Sequence, residues 1–171
     1  MSDLQHATSP SGTRPPTGDD EARALVERLA EPCTGRRGAL LPLLHAIQHE
    51  VGWIPDSLVP FVAHALNLSR AEIHGVITFY PDFRRRPAGR HVVKLCRAEA
   101  CQARGGAAIE AAAADRFGVA MGETRPDGQV TLEPIYCLGL CATGPNALVD
   151  GKPVSRVDAA RLERIAAEIA A

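Results

Sequence analysis

Four cysteines of this chain fall into two close pairs that are suited to metal chemistry. Cys96 and Cys101 form a C-x4-C pair, and Cys137 and Cys141 form a C-x3-C pair. Each pair follows an apolar, β-prone run, which is HVVKLC for the first and QVTLEPIYC for the second. Loops at neighbouring strand ends would bring the four thiolates together as the ligand set of a [2Fe–2S] cluster. Electron transfer is therefore the leading hypothesis.

Other cysteine chemistry competes with this interpretation. A structural zinc ion also takes four thiolates, and its usual pair spacings overlap these, so a zinc-stabilised interaction module stays open. Zinc sites favour short knuckles, whereas these pairs follow separate strands. Disulfides fit poorly with a cytosolic chain, and the C-x-x-C of a thioredoxin-type redox pair is absent.

The residues around the pairs suggest how a cluster would be accommodated. Gly139 lies inside the second pair and Gly144 soon after it, so the backbone can turn tightly and point N–H groups at a negative cluster. Lys94 and Arg97 are candidates for raising the reduction potential of such a cluster. We favour the interpretation that both are solvated surface charges.

The hydrophobic pattern predicts two structural halves. The first half is all helical, and a capping box at Ser69 and Glu72 opens its last helix. The predicted helices cover residues 19–31, 38–50, 55–66 and 69–79, with Asp19 and Asp20 as caps of the first. The second half reads as a strand at 91–95, a helix at 103–117, a strand at 129–136, a hairpin around 150–152 and a helix after Asp158. This order predicts an α/β sandwich of thioredoxin type.

Composition limits the domain organisation and the location. Residues 1–19 are rich in Ser, Thr, Pro and Gly and should form a disordered tail. A helical unit over 20–86 and an α/β domain over 87–171 are expected, joined at a basic, turn-forming stretch. A net charge of −1 gives no large field for nucleic acid or an anionic membrane. Neither a membrane-spanning apolar run nor a secretory signal is evident, so we expect a cytoplasmic protein.

The other candidate residues match no catalytic pattern. Cys33 lies outside both pairs and is predicted to be an ordinary free thiol rather than a fifth ligand. His45 and His49 are four residues apart, but Ala46 stands where a zinc-protease helix needs Glu. No nucleotide-binding glycine motif appears. The aromatic residues before the α/β domain are predicted to pack in a core between the helical unit and that domain, with a subunit interface as the alternative; they are Trp53, Phe79, Tyr80 and Phe83.

The sequence segments around the cysteines resemble those of a known family. VVKLCRAEACQARGG and YCLGLCATGPNALVDG are similar to the thioredoxin-like [2Fe–2S] ferredoxin of the 24 kDa subunit of respiratory complex I. GALLPLLHAIQHEVGWIP and IHGVITFYPDFRRRPAGRH resemble the helical segment of that family. The resemblance runs from about residue 24 to the C-terminus. Within the family, CRAEACQ and CLGLCATGPNALVDG look most similar to the gamma subunit of NAD-dependent molybdenum formate dehydrogenases.

The resemblance implies a role inside a larger complex. It implies that Cys96, Cys101, Cys137 and Cys141 ligate one [2Fe–2S] cluster and that this chain has no substrate site. FMN and NAD would lie on a partner subunit in direct contact with this one, and molybdopterin on a larger iron–sulfur catalytic subunit. Formate oxidation coupled to NAD reduction would be an activity of the whole complex. The equivalent subunit of complex I or of an NAD-reducing hydrogenase is the alternative.

Overall fold

The computed structural model describes residues 14–33 and 35–170. They form two compact units that divide between Pro87 and Ala88. Residues 1–13 of the predicted disordered tail lie outside the described residues, and residues 14–18 precede the first helix. The assignment of 20–86 as a helical unit and of 87–171 as the α/β domain stays a prediction.

The first unit is built from helices, as predicted. Its helices bury side chains against one another, including Val26, Leu44, Val62 and Ile73. A capping box opens the fourth helix, since the Glu72 N–H donates to Ser69 Oγ over 3.2 Å and Ser69 N–H donates to Glu72 Oε2 over 2.8 Å. The helices are α1 (Asp19–Ala30), α2 (Leu40–Val51), α3 (Val59–Leu66) and α4 (Arg70–Phe79), with 3₁₀ turns at Glu31–Cys33 and Asp56–Leu58.

Two predictions about this unit are wrong in detail. Gly18 occupies the cap position of α1, and Asp19 and Asp20 lie in its first turn, where the helix dipole favours negative charge. The aromatic residues do not share one core. Phe83 is buried, but Phe79 is 75% exposed and Tyr80 is 41% exposed.

The exposure of Phe79 follows from helix geometry. The buried residues of α4, Ile73 and Ile77, are four apart and share one face. Phe79 lies two positions beyond Ile77, which places it on another side of the helix. Tyr80 already has extended backbone beyond the helix end. The packing requirement of α4 therefore turns Phe79 away from its core face, whereas the Tyr80 ring lies 6.0 Å from that of the buried Phe83, measured between centroids.

The second unit is a mixed five-stranded sheet. Its strand order is β2-β3-β1-β4-β5, with β1 and β3 parallel and the other neighbours antiparallel. The strands are β1 (His91–Cys96), β2 (Glu123–Thr124), β3 (Val130–Ile135), β4 (Ala147–Val149) and β5 (Lys152–Val154), and the helices are α5 (Glu99–Gln102), α6 (Gly106–Phe117) and α7 (Ala159–Ala170).

One face of the sheet forms the core of this unit with the longer helices. Val93 pairs with Leu132 in the β1–β3 register, and both side chains are fully buried. Phe117 of α6 and Leu162 of α7 pack in the same cluster. Asp158 caps α7 as predicted, because its carboxylate accepts from the Arg161 N–H over 2.7 Å.

The predicted helix over 103–117 corresponds to α6, which begins three residues later, and the short helix α5 before it was not predicted. Gly105 has φ +91° and ends any continuous helix between α5 and α6. Such a positive φ costs glycine little. The short strand β2 was not predicted, because two residues carry no readable alternation and pair only with β3.

Candidate functional site

Parallel pairing of β1 and β3 brings the two cysteine loops to the same edge of the sheet. Cys96 is the last residue of β1 and lies opposite Ile135, the last residue of β3. Cys137 follows β3 by two residues. Since parallel strands run in the same direction, the loops that follow them leave from the same edge.

The four thiols assemble as two contacting pairs. Cys137 Sγ and Cys141 Sγ are 3.7 Å apart, and the thiols of Cys96 and Cys101 hydrogen-bond to each other. The backbone N–H groups of Cys137 and Leu138 donate to the Cys96 sulfur, which joins the second loop to the first. The structure therefore brings all four predicted site residues together.

The sulfur spacing within the second pair suits a shared metal ion. A tetrahedral metal with thiolate bonds of about 2.3 Å separates two sulfur ligands by roughly 3.8 Å. The 3.7 Å between Cys137 and Cys141 matches that separation. Within residues 14–33 and 35–170, no three His, Cys, Asp or Glu side chains converge as ligands of one ion. Two thiol pairs would offer two thiolates to each iron of a two-iron cluster.

The surroundings of the Cys96 thiol favour its negatively charged form. Burial acts to raise its pKa, but the hydrogen bonds that it accepts outweigh burial, and its pKa lies below the usual cysteine value. The donors are the Ala98 N–H, the Cys101 thiol, and the N–H groups of Cys137 and Leu138. These groups favour a thiolate, which is the form that binds metals.

The pKa values of two other thiols lie above the usual value. Burial raises the pKa of Cys101, and hydrogen bonding to Cys96 raises it further. The hydrogen bond with Cys137 raises the pKa of Cys141, as do the charges of Cys137 and Cys96. Crowded thiols resist joint deprotonation, and a bound metal cation removes that resistance.

The two pairs differ in their access to solvent. Cys96 and Cys101 are 4% and 1% exposed, whereas Cys137 and Cys141 are exposed. Tyr136 precedes the exposed pair, and its side chain is also exposed. The site thus has a buried half and a surface half.

Glycine and a strained cysteine shape the second loop. Gly139 has φ +75°, and Cys137 itself has φ +66°, which is uncommon for a residue with a side chain. A Cβ on Gly144 would lie 3.2 Å from the Cys101 sulfur. Both glycines named from the sequence therefore have a structural role beside the thiols.

Asn146 is the site residue that sequence reasoning missed. It is 2% exposed, and its Nδ2 lies 2.7 Å from the Leu140 carbonyl oxygen and 3.6 Å from the Cys101 sulfur. Its backbone carbonyl accepts from the Cys96 N–H over 3.0 Å. A polar residue directly before the predicted hairpin was the available signal.

The other polar candidates have ordinary roles. Lys94 lies 3.4 Å from a carboxylate oxygen of Glu133, and Arg97 lies 3.1 Å from one of Glu110, so both positive charges are paired. Cys33 is a buried thiol of the helical unit.

The two histidines of α2 also lie on the surface. His45 and His49 are exposed, and the His45 ring packs 4.9 Å from that of Phe83, measured between centroids. None of the helices in the described part of the chain is long and apolar enough to span a membrane.

Comparison with known proteins identifies consistent relatives. Residues 26–170 match the family described as thioredoxin-like [2Fe-2S] ferredoxin. A subunit of the NADH-quinone oxidoreductase of Escherichia coli K12 is 37% identical over 128 residues, which cover 75% of this chain and 77% of that protein. NADH-quinone oxidoreductase subunit 2 of Thermus thermophilus is 33% identical over 155 residues, covering 90% of this chain and 86% of that one.

A solved structure supports the same fold. A chain of NAD+-reducing [NiFe]-hydrogenase in the H2-reduced state superposes with a TM-score of 0.66 at 25% identity, over 77% of this chain. The matched region is 22% of that hydrogenase chain, so most of the hydrogenase chain has no counterpart here. The predicted arrangement of N-terminal helices followed by a thioredoxin-like domain is confirmed.

Proposed function

This chain belongs to the thioredoxin-like [2Fe–2S] ferredoxin family, and we propose that Cys96, Cys101, Cys137 and Cys141 hold its [2Fe–2S] cluster. The observation that carries this proposal is the meeting of two thiol pairs at one sheet edge, with N–H groups of the second loop aimed at Cys96. Cys96 and Cys101 would bind one iron, and Cys137 and Cys141 the other. When bound, such a cluster supplies one-electron transfer.

The buried and the exposed cysteine pairs have different proposed roles. The buried pair and its N–H donors hold negative charge in surroundings with little water, where each hydrogen bond is stronger. The exposed pair leaves one side of the site open. We propose that electrons pass to and from a partner subunit at this side, beside Tyr136 and Leu140, whose side chains are 64% and 37% exposed.

The proposed direct partner is a flavin- and NAD-binding subunit. The relatives include subunits of an NADH-quinone oxidoreductase and of an NAD+-reducing hydrogenase, which have NAD chemistry in common. FMN and NAD would be bound by the partner, and this chain would be a non-catalytic electron-transfer subunit in the cytoplasm.

We further propose that the complex oxidises formate. The support is the similarity of CRAEACQ and CLGLCATGPNALVDG to the gamma subunits of NAD-dependent molybdenum formate dehydrogenases. Molybdopterin would then lie on a larger subunit. The equivalent role in complex I is the second candidate, and the 37% identity to the Escherichia coli NADH-quinone oxidoreductase subunit favours it.

Metal analysis of the purified chain tests the cluster. Anaerobic preparation should yield brown protein with about two irons and two sulfides per chain and a rhombic electron-spin signal after reduction. Serine at any of the four proposed ligands should lose or damage the cluster. Cys33→Ala is the matched control, because it removes a buried thiol without adding a hydroxyl, and it should retain full iron. Colourless protein with one zinc would refute the proposal.

Isolation of the native complex tests the partners separately. Under the formate proposal, the tagged chain should co-purify with a flavoprotein and a molybdopterin subunit, and the complex should reduce NAD with formate. Quinone-linked membrane subunits would instead assign the chain to complex I, and a nickel subunit to a hydrogenase. Either result would leave the cluster assignment intact.

A further inference from the structure

Asn146 is a buried side chain placed between the two cysteine loops. It directly precedes β4, and its carbonyl oxygen accepts from Cys96 N–H, so its backbone extends the sheet beside the first loop. A buried primary amide is costly unless its polar atoms are bonded. The hydrogen-bond partners of this amide therefore indicate the role of the Asn146 side chain.

Both hydrogens of the amide have an acceptor. An asparagine NH₂ offers two donors, and Nδ2 of Asn146 lies 2.7 Å from Leu140 O and 3.6 Å from Cys101 Sγ. Its Oδ1 lies 3.4 Å from Thr143 Oγ1, a hydroxyl that also lies 3.0 Å from the Leu140 carbonyl oxygen. A flipped amide would place Oδ1, which is an acceptor, 2.7 Å from the Leu140 carbonyl oxygen and would leave no donor facing the sulfur. The contacts thus determine which amide atom faces Cys101.

The two bonds of the amide together join the second cysteine loop to the first cysteine pair. Leu140 is adjacent to Cys141, while Cys101 belongs to the other pair. One NH₂ group therefore touches the backbone beside one pair and the sulfur of the other. A change at this amide acts on a thiolate and on the distance between loops at the same time.

We propose that Asn146 is a positioning residue that raises the reduction potential of the site through its hydrogen bond to the Cys101 thiolate. This inference rests on the proposed ligand role of Cys101. Reduction adds one negative charge that the sulfur ligands share, so a donor to sulfur stabilises the reduced form more than the oxidised form. The donor is buried, which strengthens the interaction. Unlike the backbone N–H donors to Cys96, it can be removed by substitution.

A redox titration of loaded protein tests the proposal. Asn146→Leu keeps a similar volume and removes both donors, and it should lower the stability of the reduced form relative to the oxidised form about tenfold. For a one-electron couple this is a shift of about 59 mV to more negative potential. Thr143→Val is the matched control, because it removes a hydroxyl that contacts Asn146 Oδ1 and the Leu140 carbonyl oxygen but not the sulfur. Thr143→Val should change the stability of the reduced form relative to the oxidised form by less than about threefold.

A measurement on the unmodified chain covers the case in which Asn146→Leu does not load. The sequence contains two asparagines, Asn67 and Asn146. With ¹⁵N in the asparagine side chains, pulsed electron-spin spectra of the reduced protein should show a ¹⁵N coupling. That coupling should persist in Asn67→Gly, since Asn67 has φ +51° at a helix end, where glycine fits.

The outcomes separate this inference from the proposed function. If the unmodified chain shows no ¹⁵N coupling, or if fully loaded Asn146→Leu has an unchanged potential, the role of Asn146 is refuted while the cluster assignment stands. If Cys101→Ser keeps an unaltered cluster, the ligand assignment itself fails.

Discussion

Gly106 opens α6 against the end of α5, which carries Cys101, and replacing it with alanine tests that close approach. An added Cβ would lie 2.8 Å from the Cys101 carbonyl oxygen, 3.0 Å from its carbonyl carbon and 2.9 Å from Gln102 Nε2. Two of these atoms are backbone, so the clash cannot be relieved by a side-chain rotation. Gly106 is buried, and its φ is not positive. The need for glycine is therefore one of space.

The magnitude follows from two opposing terms. Alanine in place of glycine normally stabilises a helix by about 0.5–1 kcal/mol. Overpacking that forces backbone to move costs about 1–3 kcal/mol. The net expectation for Gly106→Ala is a loss of roughly 1–2 kcal/mol in unfolding free energy. The displaced Cys101 loop should also lower the iron content.

Gly75 of α4 provides a control of opposite sign. Its Cβ would meet nothing within 4 Å, and its φ is not positive. Gly75→Ala should therefore stabilise the chain by about 0.5–1 kcal/mol. Urea unfolding followed by circular dichroism measures both variants, and the single tryptophan, Trp53, reports on the helical unit by fluorescence. Gly106→Ala protein as stable as the parent, with Gly75→Ala behaving as expected, would refute the close approach.

Three further predictions concern the core, a helix start and the cluster. Leu132→Ala should cost about 2–5 kcal/mol in urea unfolding, because Leu132 is fully buried in β3, and a loss below about 1 kcal/mol would contradict its core role. Hydrogen bonds from Ser69 hold the pKa of Glu72 below its usual value. Their stabilisation is present above the usual glutamate pKa and lost as pH falls through the lowered value, so the stability difference between parent and Ser69→Ala should shrink from about pH 5 to about pH 3 in thermal unfolding. An unchanged difference would contradict the capping box. Removing iron with a chelator should lower the melting temperature of the α/β domain and leave the Trp53 transition in place, since all four proposed ligands follow residue 87. An equal shift of both transitions would contradict this assignment.

Local signals account for most of what the sequence predicted correctly. Ser69 and Glu72 interact across a single helical turn, and Asp150 and Gly151 both adopt positive φ in the predicted hairpin. Such features depend on a few neighbouring residues, so their residue types suffice. The strand β2 was missed because it forms only by pairing with β3. The break at Gly105 is a local feature, since a Cβ there would meet nothing within 4 Å, and the glycine itself was the available signal.

Exposure was harder to predict than secondary structure. Phe79 has the residue type of a core side chain, and the sequence predicted that it packs inside. Its 75% exposure follows from the face on which Ile73 and Ile77 pack. Which face of a helix is buried depends on its neighbours, and a short amphipathic segment specifies that face only approximately.

The sequence by itself determined the chemistry available to the site: four thiols in two pairs, each pair following a strand, with glycines in the second loop. Tertiary structure alone decided how those thiols are used. The register that sets Cys96 opposite Ile135 aims the N–H groups of the second loop at the Cys96 sulfur. Chain folding also buries one pair, exposes the other and places Asn146 beside Cys101. These contacts join residues some forty positions apart, and only strand pairing and helix packing determine which of them form.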